Sequence, residues 1–406
     1  MPDEMISVAE AIQIVKEQTR RHTTENVALY DALGRVLATD VAADSDLPPF
    51  DRSQMDGYAV KANDVQTAPV SLRIVGESAA GRGWHHDMQE GEAVRIMTGA
   101  PVPSGADSVQ QVEFTHELKD GTVVELLQSV EPGKSIVRRG SEVKKGDTVL
   151  TAGTVINAAM MAVLASFGYA EIEVSRRPRV AVVATGSELV PVNQEPGQDQ
   201  IRDSNNYSIR AYAHLAGATT EEAKLTGDDI SELKTQITKA ASTSDIVVTS
   251  GGVSMGIYDF TKTALRELGA ELFFERVALR PGKPTVFGRL PSGALVFGLP
   301  GNPVSVSVTF NLFVRTALLA MQGCAEPALP QQTAVLARKV RGTIDRESYL
   351  PAQLTTNDDG QLIAFPLKWG GSSDFVSFAM TTALLIVPAG IQSLETDSLV
   401  KIVRLA

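Results

Sequence analysis

The chain has 406 residues, of which 43% are apolar, and it carries a formal net charge of −11 at pH 7. This length and apolar content are sufficient for several hydrophobic cores and therefore for several domains. The negative net charge opposes non-specific binding to nucleic acid, so local basic residues must attract any anionic substrate. Because Cys324 is the single cysteine, an intramolecular disulfide framework and a cysteine metal cluster are excluded.

The amino-terminal residues do not predict a signal peptide. Residues 1–4 are acidic and lack the basic and then apolar arrangement of a signal peptide. No run of apolar residues reaches the roughly 18 that a membrane span requires. We therefore expect a cytoplasmic protein that contacts neither a membrane nor nucleic acid.

The first 177 residues predict two interleaved domains. Val8, Ala11 and Val15 mark an amphipathic helix, and apolar residues recur with helical spacing over 158–165. Between these helices, residues 46–140 are rich in Pro, Gly and alternating apolar patterns, which are typical of β structure. We predict a split, elongated domain of residues 1–45 and 141–177, with a β-rich domain of residues 46–140 inserted in it.

Residues 178–325 alternate between buried strands and helices. Strands are predicted at 179–185, 246–249, 271–279 and 295–298, and helices begin near Asp203 or Ser204, after Asp229, and at Pro303 with Asn302 as its N-cap. This alternation favours an α/β domain with a doubly wound sheet, in which ligands bind outside the carboxyl ends of the strands. Residues 326–406 contain short strands with turn signals at 358–360 and 388–390, which indicates a small C-terminal β barrel.

A glycine-rich loop follows the strand at 246–249. Gly251 and Gly252 allow positive φ and a close approach of the backbone to a ligand, and Asp259 opens the next helix, whose N-terminus attracts anions. The loop matches neither the P-loop pattern nor the dinucleotide fingerprint. The alternative is a tight strand-to-helix turn with Asp259 as an ordinary N-cap.

Several acidic side chains are predicted at the same edge of this sheet. Glu188, Asp228 and Asp259 each follow a strand or open a helix, as Ser250 does. Two like charges about 4 Å apart repel by roughly 4 kcal/mol at an effective dielectric near 20, so close carboxylates need a cation or raised pKa values. Mg²⁺ suits carboxylates combined with phosphate oxygens. The alternative is that Asp228 is an exposed helix-capping acid.

Cations follow in the loop 280–284, where prolines stiffen a segment that carries Arg280 and Lys283. Beside Gly301, Asn302 and Pro303, this loop is suited to an oxyanion. The alternative is an ordinary solvated loop.

Five separated segments together resemble the MoeA family of molybdopterin molybdenumtransferases, which includes the E domains of plant Cnx1 and of gephyrin. They are PPFDRSQMDGYAV (48–60), RIMTGAPVPSGADSV (95–109), TSGGVSMGIYDFTK (249–262), RPGKPTVFG (280–288) and GLPGNPVS (298–305). The resemblance implies insertion of molybdate into adenylylated molybdopterin, with Mg²⁺-dependent release of AMP, by an elongated homodimer. It makes residues 178–325 the molybdopterin-binding domain. It also implies partners from cofactor synthesis, such as a molybdopterin adenylyltransferase.

The same resemblance assigns roles to individual residues. The catalytic residues would be Asp56, Thr98, Asp228 and Arg280, and the metal ligands would be Glu188, Asp228 and Asp259. Substrate or cofactor contacts would come from Glu188, Ser250, Gly251, Gly252, Lys283, Pro300, Gly301, Asn302, Pro303, Arg346 and Ser372. The chain departs from the family where Arg276 and Arg280 replace lysines and where Glu142 replaces an aspartate. Without its neighbours Met55 and Tyr58, Asp56 would be an ordinary Asp-Gly turn residue.

Two other functions remain open at this point. One is a nucleotide-handling enzyme that shares only the sheet domain, such as a molybdopterin adenylyltransferase or a CinA-type pyrophosphatase. The other is a peptide-binding scaffold that keeps the fold and the dimer. The sequence also leaves open whether the anion is molybdate or tungstate, since both are tetrahedral dianions of similar size.

Overall fold

A computed structural model describes residues 5–221, 224–227, 229–252 and 260–405. The chain divides into two compact units. One contains Met1–Thr39, Ala152–Asn157 and Glu171–Ala406, and the other contains Asp40–Thr151 and Ala158–Ala170. The predicted residues Asp228 and Asp259 lie outside the described residues.

The unit built on Asp40–Thr151 contains a six-stranded sheet. Its spatial order is Ser108–Gln111, Gly57–Val60, Glu92–Ile96, Val70–Ser78, Val123–Leu126 and Thr115–Leu118. Two short pairs, Arg52–Ser53 with Ile136–Val137 and Val41–Ala42 with Thr148–Leu150, complete its β structure, and the helix Ala158–Ser166 belongs to the same unit. Alternate side chains are buried in Val123–Leu126, as the alternating sequence predicts.

The larger unit contains a seven-stranded mixed sheet. The path runs Thr219–Thr220, Arg179–Thr185, Ile246–Ser250, Leu295–Leu299, Val286–Arg289 and Glu271–Phe274, and Lys224–Thr226 also pairs with Arg179–Thr185. The strands from Thr219–Thr220 to Leu295–Leu299 are parallel, whereas the last two are antiparallel to their neighbours.

The strand predicted over 271–279 is shorter than expected. It ends at Phe274, so the prediction that it extends to residue 279 was wrong. Its ladder is already irregular between Leu272 and Phe274. The next residue, Glu275, is buried and its carboxylate accepts hydrogen bonds of 2.6 and 2.9 Å from Arg266, which draws the chain out of the sheet.

Helices cover both faces of this sheet, which confirms the doubly wound prediction. Val8–Gln18, Asn205–Leu215 and the long helix from Pro303 to Met321 share one core with strand residues such as Val182 and Val248. Ile230–Thr243 and Phe260–Glu267 pack with Val183 and Val247 on the opposite face. Because successive strand residues point to opposite faces, two continuous apolar runs supply both cores.

The amino-terminal helix therefore packs with the sheet. One link within the predicted split domain is present, since Thr24–Ala28 pairs antiparallel with Glu171–Ser175. The four-domain division itself stays a prediction.

The helix Pro303–Met321 is long and apolar enough to cross a membrane by length and composition, with a mean hydropathy of 1.6. It is not an uninterrupted apolar run, because it also contains polar residues such as Asn311 and Arg315. However, 89% of the apolar window is buried inside the protein, so the helix forms part of the core. A π-helical turn, Phe310–Val314, interrupts it, and its start has Asn302 at the N-cap and Pro303 at the first turn, as predicted.

The carboxyl-terminal region forms a closed five-stranded barrel, as predicted. The order is Glu347–Thr356, Leu362–Pro366, Gln331–Leu336, Leu399–Arg404 and Ala383–Val387, which pairs back to the first strand. Leu279–Arg280 adds to Glu347–Thr356 in parallel. The remaining short elements are Val340–Arg341 with Ser393–Leu394, Leu189–Val190 with Ile201–Arg202, the helix Phe375–Phe378, and 3-10 turns at Leu29–Asp31, Ala62–Val65, Val112–Phe114 and Lys119–Gly121.

Candidate functional site

A cleft of about 1050 Å³ lies at the carboxyl ends of three parallel strands. Ligands of doubly wound sheets bind at this edge. The structure brings eight predicted residues together in its lining: Glu188, Ser250, Gly251, Gly252, Pro300, Gly301, Asn302 and Pro303. We refer to it as the main cleft.

Two glycines of the main cleft cannot be replaced without displacing neighbouring atoms. Gly251 has φ +97°, and a Cβ there would collide with the carbonyl oxygen of Thr185. Gly252 has φ +65°, and a Cβ there would lie 2.6 Å from the Thr261 hydroxyl oxygen, which itself donates to the Gly251 carbonyl at 3.1 Å. Glycine is therefore required for positive φ and for close packing of this loop.

Asn205 connects the loops that follow two different strands. Its amide nitrogen donates to Ser250 Oγ at 2.9 Å and to the Gly301 carbonyl at 2.7 Å. Its Oδ1 is buried and has no hydrogen-bond partner within the described residues. Sequence reasoning proposed Asp203 or Ser204 as a helix cap and missed this role. The signal was the run of five polar residues, 202–206, which exceeds what one cap requires.

Asp203 also lines the main cleft and is only 3% exposed. Its carboxylate accepts from the Asn206 backbone N–H at 3.1 Å, which caps the helix Asn205–Leu215. Burial raises the pKa of the Asp203 carboxyl, because removal from water penalises the charged form more than these hydrogen bonds favour it.

The structure places Ser372 at the start of the long helix. Asn302 Nδ2 donates to Ser372 Oγ at 2.8 Å, and the Val304 N–H donates to the Ser372 carbonyl at 3.1 Å. The neighbouring residues Ser373 and Phe375 line the main cleft.

The predicted basic residues Arg280, Lys283 and Arg346 are not among the residues that line the main cleft in the described part of the chain. Arg280 lies in the short strand that pairs with Glu347–Thr356, where its register partner is Ser348. The Arg346 guanidinium bonds Asp345 at 3.0 Å. Pro284, which closes the Arg280 loop, does line the main cleft. Arg280 and Lys283 are thus adjacent in sequence to the main cleft, while their side chains, like that of Arg346, lie outside its lining.

Asp56 and Thr98 form a pair in the other compact unit. The Asp56 carboxylate accepts from the Thr98 backbone N–H at 2.6 Å and from its hydroxyl at 2.8 Å, and both residues are exposed. The backbone hydrogen bond, followed by that of the hydroxyl, lowers the pKa of Asp56. Gly57 allows the neighbouring strand Ser108–Gln111 to pack closely, because a Cβ at position 57 would collide with the Gln110 carbonyl. The result is an exposed, ionised carboxylate in a fixed orientation.

Among the described residues, no group of three or more His, Cys, Asp or Glu is arranged to hold a metal ion. Of the predicted ligands only Glu188 is described, and its exposed carboxylate lines the main cleft. Glu142, whose role the sequence left open, pairs with Arg52 at 3.3 Å.

The main cleft has the properties of an anion site. The helices Asn205–Leu215 and Pro303–Met321 both begin in its lining. Helix N-termini carry about half a positive charge and unpaired N–H groups, and glycines let a ligand approach the backbone. Its size exceeds that of a bare phosphate and suits a large substrate with a phosphate group.

Three family models together match almost the whole chain. Residues 6–168 match the MoeA N-terminal region (domain I and II), residues 181–320 match a domain described as "Probable molybdopterin binding domain", and residues 333–405 match the MoeA C-terminal region (domain IV). An enzyme that shares only the sheet domain would leave the first and third regions without a counterpart.

Similar proteins include the molybdopterin molybdenumtransferase of Bacillus subtilis, which is 35% identical over 98% of this chain and 93% of that protein. The protein of the same name from a Nostoc species is 37% identical over 93% of this chain and 88% of its own length. The crystal structure of a molybdopterin biosynthesis MoeA protein from Pyrococcus horikoshii superposes with a TM-score of 0.84 at 29% identity, covering 99% of this chain and 100% of that one. The chain therefore belongs to the MoeA family, the molybdopterin molybdenumtransferases.

Proposed function

We propose that this protein inserts molybdate into adenylylated molybdopterin, with Mg²⁺-dependent release of AMP, in molybdenum cofactor biosynthesis. The observation that carries the proposal is the main cleft, where two glycine loops and two helix N-termini meet. Its volume of about 1050 Å³ is at the upper end of small-ligand pockets, which suits a pterin joined to a nucleotide.

The loops of the main cleft would hold the phosphoanhydride. Backbone N–H groups at Gly252 and Gly301 are suited to the charge that develops on the leaving phosphate. Asn205 keeps the two glycine loops in register through its bonds to Ser250 and Gly301. Arg280, Lys283 and Arg346 would supply positive charge for the molybdate dianion, and Asn302 and Ser372 would supply hydrogen-bond donors.

The donor set present fits Mg²⁺. This ion usually takes one or two carboxylates and completes its shell with water and substrate phosphate oxygens. Glu188 lies in the main cleft with an exposed carboxylate, and the family resemblance adds Asp228 and Asp259. When bound, the ion would neutralise phosphate charge and favour departure of AMP.

Asp56 would act as a base toward the attacking water, with Thr98 fixing its carboxylate. Its two hydrogen bonds favour the ionised form, and exposure on the surface leaves the carboxylate accessible. We also propose that the active form is a homodimer in the cytoplasm.

The test is AMP release by purified protein supplied with adenylylated molybdopterin, Mg²⁺ and molybdate, with tungstate in a parallel arm. We expect AMP release that requires the metal and the oxyanion. Protein that binds the substrate but releases no AMP would contradict the proposal and support the scaffold alternative. A complementation test in cells lacking the transferase, with and without excess molybdate, would check the same activity in vivo.

A variant separates catalysis from folding. Asp56→Ala should keep the dimer, measured by size-exclusion chromatography, and lose AMP release. Asp87→Ala is the matched control, because Asp87 is also an exposed aspartate of the same compact unit. If Asp56→Ala retains full activity, or if Asp87→Ala loses as much, the catalytic role of Asp56 is refuted.

A further inference from the structure

A second cleft, of about 290 Å³, lies at the opposite edge of the seven-stranded sheet. Its lining includes Asp245, which precedes the strand Ile246–Ser250, and Leu295, which begins the strand Leu295–Leu299. It therefore lies at the amino ends of the strands, away from the main cleft. We call it the amino-edge cleft, and its polar lining includes Arg20, Arg21, His22, Ser244, Asp245 and Arg289.

Positive charge exceeds negative charge around the amino-edge cleft. The Asp245 carboxylate is bonded by Arg176 at 2.9 Å and by the Arg179 backbone N–H at 2.7 Å, with the Arg179 side chain 3.9 Å away. Arg289 is 3.6 Å from Glu271. With Arg20 and Arg21, five guanidinium groups and two carboxylates therefore lie in the lining or pair with a lining side chain, in a chain whose net charge is −11.

Arg20 and Arg21 are exposed, and in the described part of the chain neither has a hydrogen-bond or ion-pair partner. The Arg21 guanidinium lies against Gly323, where a Cβ would collide with it. Both side chains are therefore available to a ligand, and the contact with Gly323 restricts where the second can lie.

Ser244 adds a buried donor to the same lining. It is 6% exposed, and its Oγ has no hydrogen-bond partner among the described residues. A buried hydroxyl without a partner is unfavourable, so a ligand that accepts its hydrogen would remove this penalty.

Helix carboxyl ends explain only part of the positive charge. Val8–Gln18 and Ile230–Thr243 both end beside the amino-edge cleft, and each end carries about half a negative charge. Arg289 already offsets the negative end of the helix Val8–Gln18, because it donates to the Gln18 carbonyl at 2.8 Å. About one negative charge from two helix ends does not balance the three positive charges left after pairing.

We propose that the amino-edge cleft binds a phosphate-type tetrahedral oxyanion, either free phosphate or the phosphate group of a small phosphomonoester, between Arg20, Arg21 and Ser244. A guanidinium group donates two parallel hydrogen bonds to such an anion. The hydroxyl of Ser244 donates a further bond from the buried side. The volume of about 290 Å³ leaves room for an organic group beyond the phosphate.

The test is calorimetric titration of the full-length protein with inorganic phosphate at constant ionic strength. Arg20→Ala/Arg21→Ala should weaken phosphate binding by about tenfold or more, since two charged donors are lost. Ser244→Ala should weaken it by about threefold to tenfold, since one neutral donor is lost. The matched control is Arg338→Ala/Lys401→Ala, which removes two exposed cations elsewhere and should change affinity less than about twofold.

Two results would overturn the proposal. One is equal loss of affinity in the control double variant, which would indicate a diffuse effect of charge. The other is loss of the same binding event in Asn302→Ala, which would place the phosphate in the main cleft. Titration of AMP into the wild-type protein and into the Arg20→Ala/Arg21→Ala variant identifies the source of the phosphate group. If the variant loses affinity for AMP as it does for inorganic phosphate, the ligand is a phosphomonoester. If the amino-edge cleft binds inorganic phosphate alone, the ligand is the free anion.

Discussion

Replacement of Asn205 by alanine tests how the main cleft is held together. The change removes two hydrogen bonds, one to Ser250 Oγ at 2.9 Å and one to the Gly301 carbonyl at 2.7 Å. Each such bond contributes about 0.5–1.5 kcal/mol net, so the loss is about 1–3 kcal/mol. The lower half of this range is expected, because alanine also removes the buried Oδ1 that lacks a partner.

Two measurements check this magnitude. Urea unfolding followed by circular dichroism should show a lower free energy of unfolding for the sheet-containing unit. The specificity constant kcat/KM for AMP release should fall by roughly 5- to 150-fold if the loops must be in register in the transition state. Ser250→Ala removes one of the two bonds and should cost about 1 kcal/mol.

Asn193→Ala is the matched control, since Asn193 is exposed and is not part of the lining of the main cleft. It should change neither quantity. The reasoning is refuted if Asn205→Ala leaves both stability and kcat/KM at wild-type values. It is also refuted if Ser250→Ala costs more than Asn205→Ala, because the asparagine makes both bonds.

Three further changes test other parts of the structure. Gly57→Ala should destabilise its unit by more than about 2 kcal/mol in urea unfolding, because the new Cβ collides with the Gln110 carbonyl between paired strands. Thr98→Val keeps the backbone bond to Asp56 but removes the hydroxyl bond, so the pKa of Asp56 rises and the acid limb of the pH–rate profile moves to higher pH. Asp203 has a raised native pKa, so wild-type stability falls as pH rises from the unfolded value, 3.8, through the native one, and Asp203→Asn should lack this fall.

Each of these changes has a control in the same unit. Gly81→Ala also places alanine at positive φ, but in open space, and should cost only about 1 kcal/mol. Thr67→Val and Asp199→Asn alter exposed residues and should leave the pH profiles unchanged. An unchanged acid limb in Thr98→Val, or an unchanged stability profile in Asp203→Asn, would contradict the proposed cause of the corresponding pKa shift.

Local signals predicted the elements of the sheet domain well. The helix Ile230–Thr243 begins after Asp229, whose carboxylate accepts from the Glu232 N–H at 2.8 Å, and Asn302 with Pro303 starts the long helix. These signals lie within a few residues of each other, so the sequence alone carries them. Apolar runs located the central strands for the same reason.

Signals that depend on distant partners were missed. The strand over 271–279 was predicted too long because its end depends on the pairing with Val286–Arg289, and that ladder is irregular between Leu272 and Phe274. The amphipathic helix at Val8–Gln18 was recognised, but its packing partner was not, since periodicity identifies a buried face without identifying what covers it.

By itself the sequence determined the order of strands and helices, the glycine positions of the loops and the family, because each depends on residue types at short, fixed spacing. Only the tertiary structure decided that Asn205 joins Ser250 to Gly301, and that Arg20 and Arg289 lie in one cleft. Such contacts connect residues far apart in the chain, as in the bond between Arg289 and Gln18 across 271 positions. A hydrogen bond or an ion pair depends on distance in space, and no local pattern of residues specifies that distance.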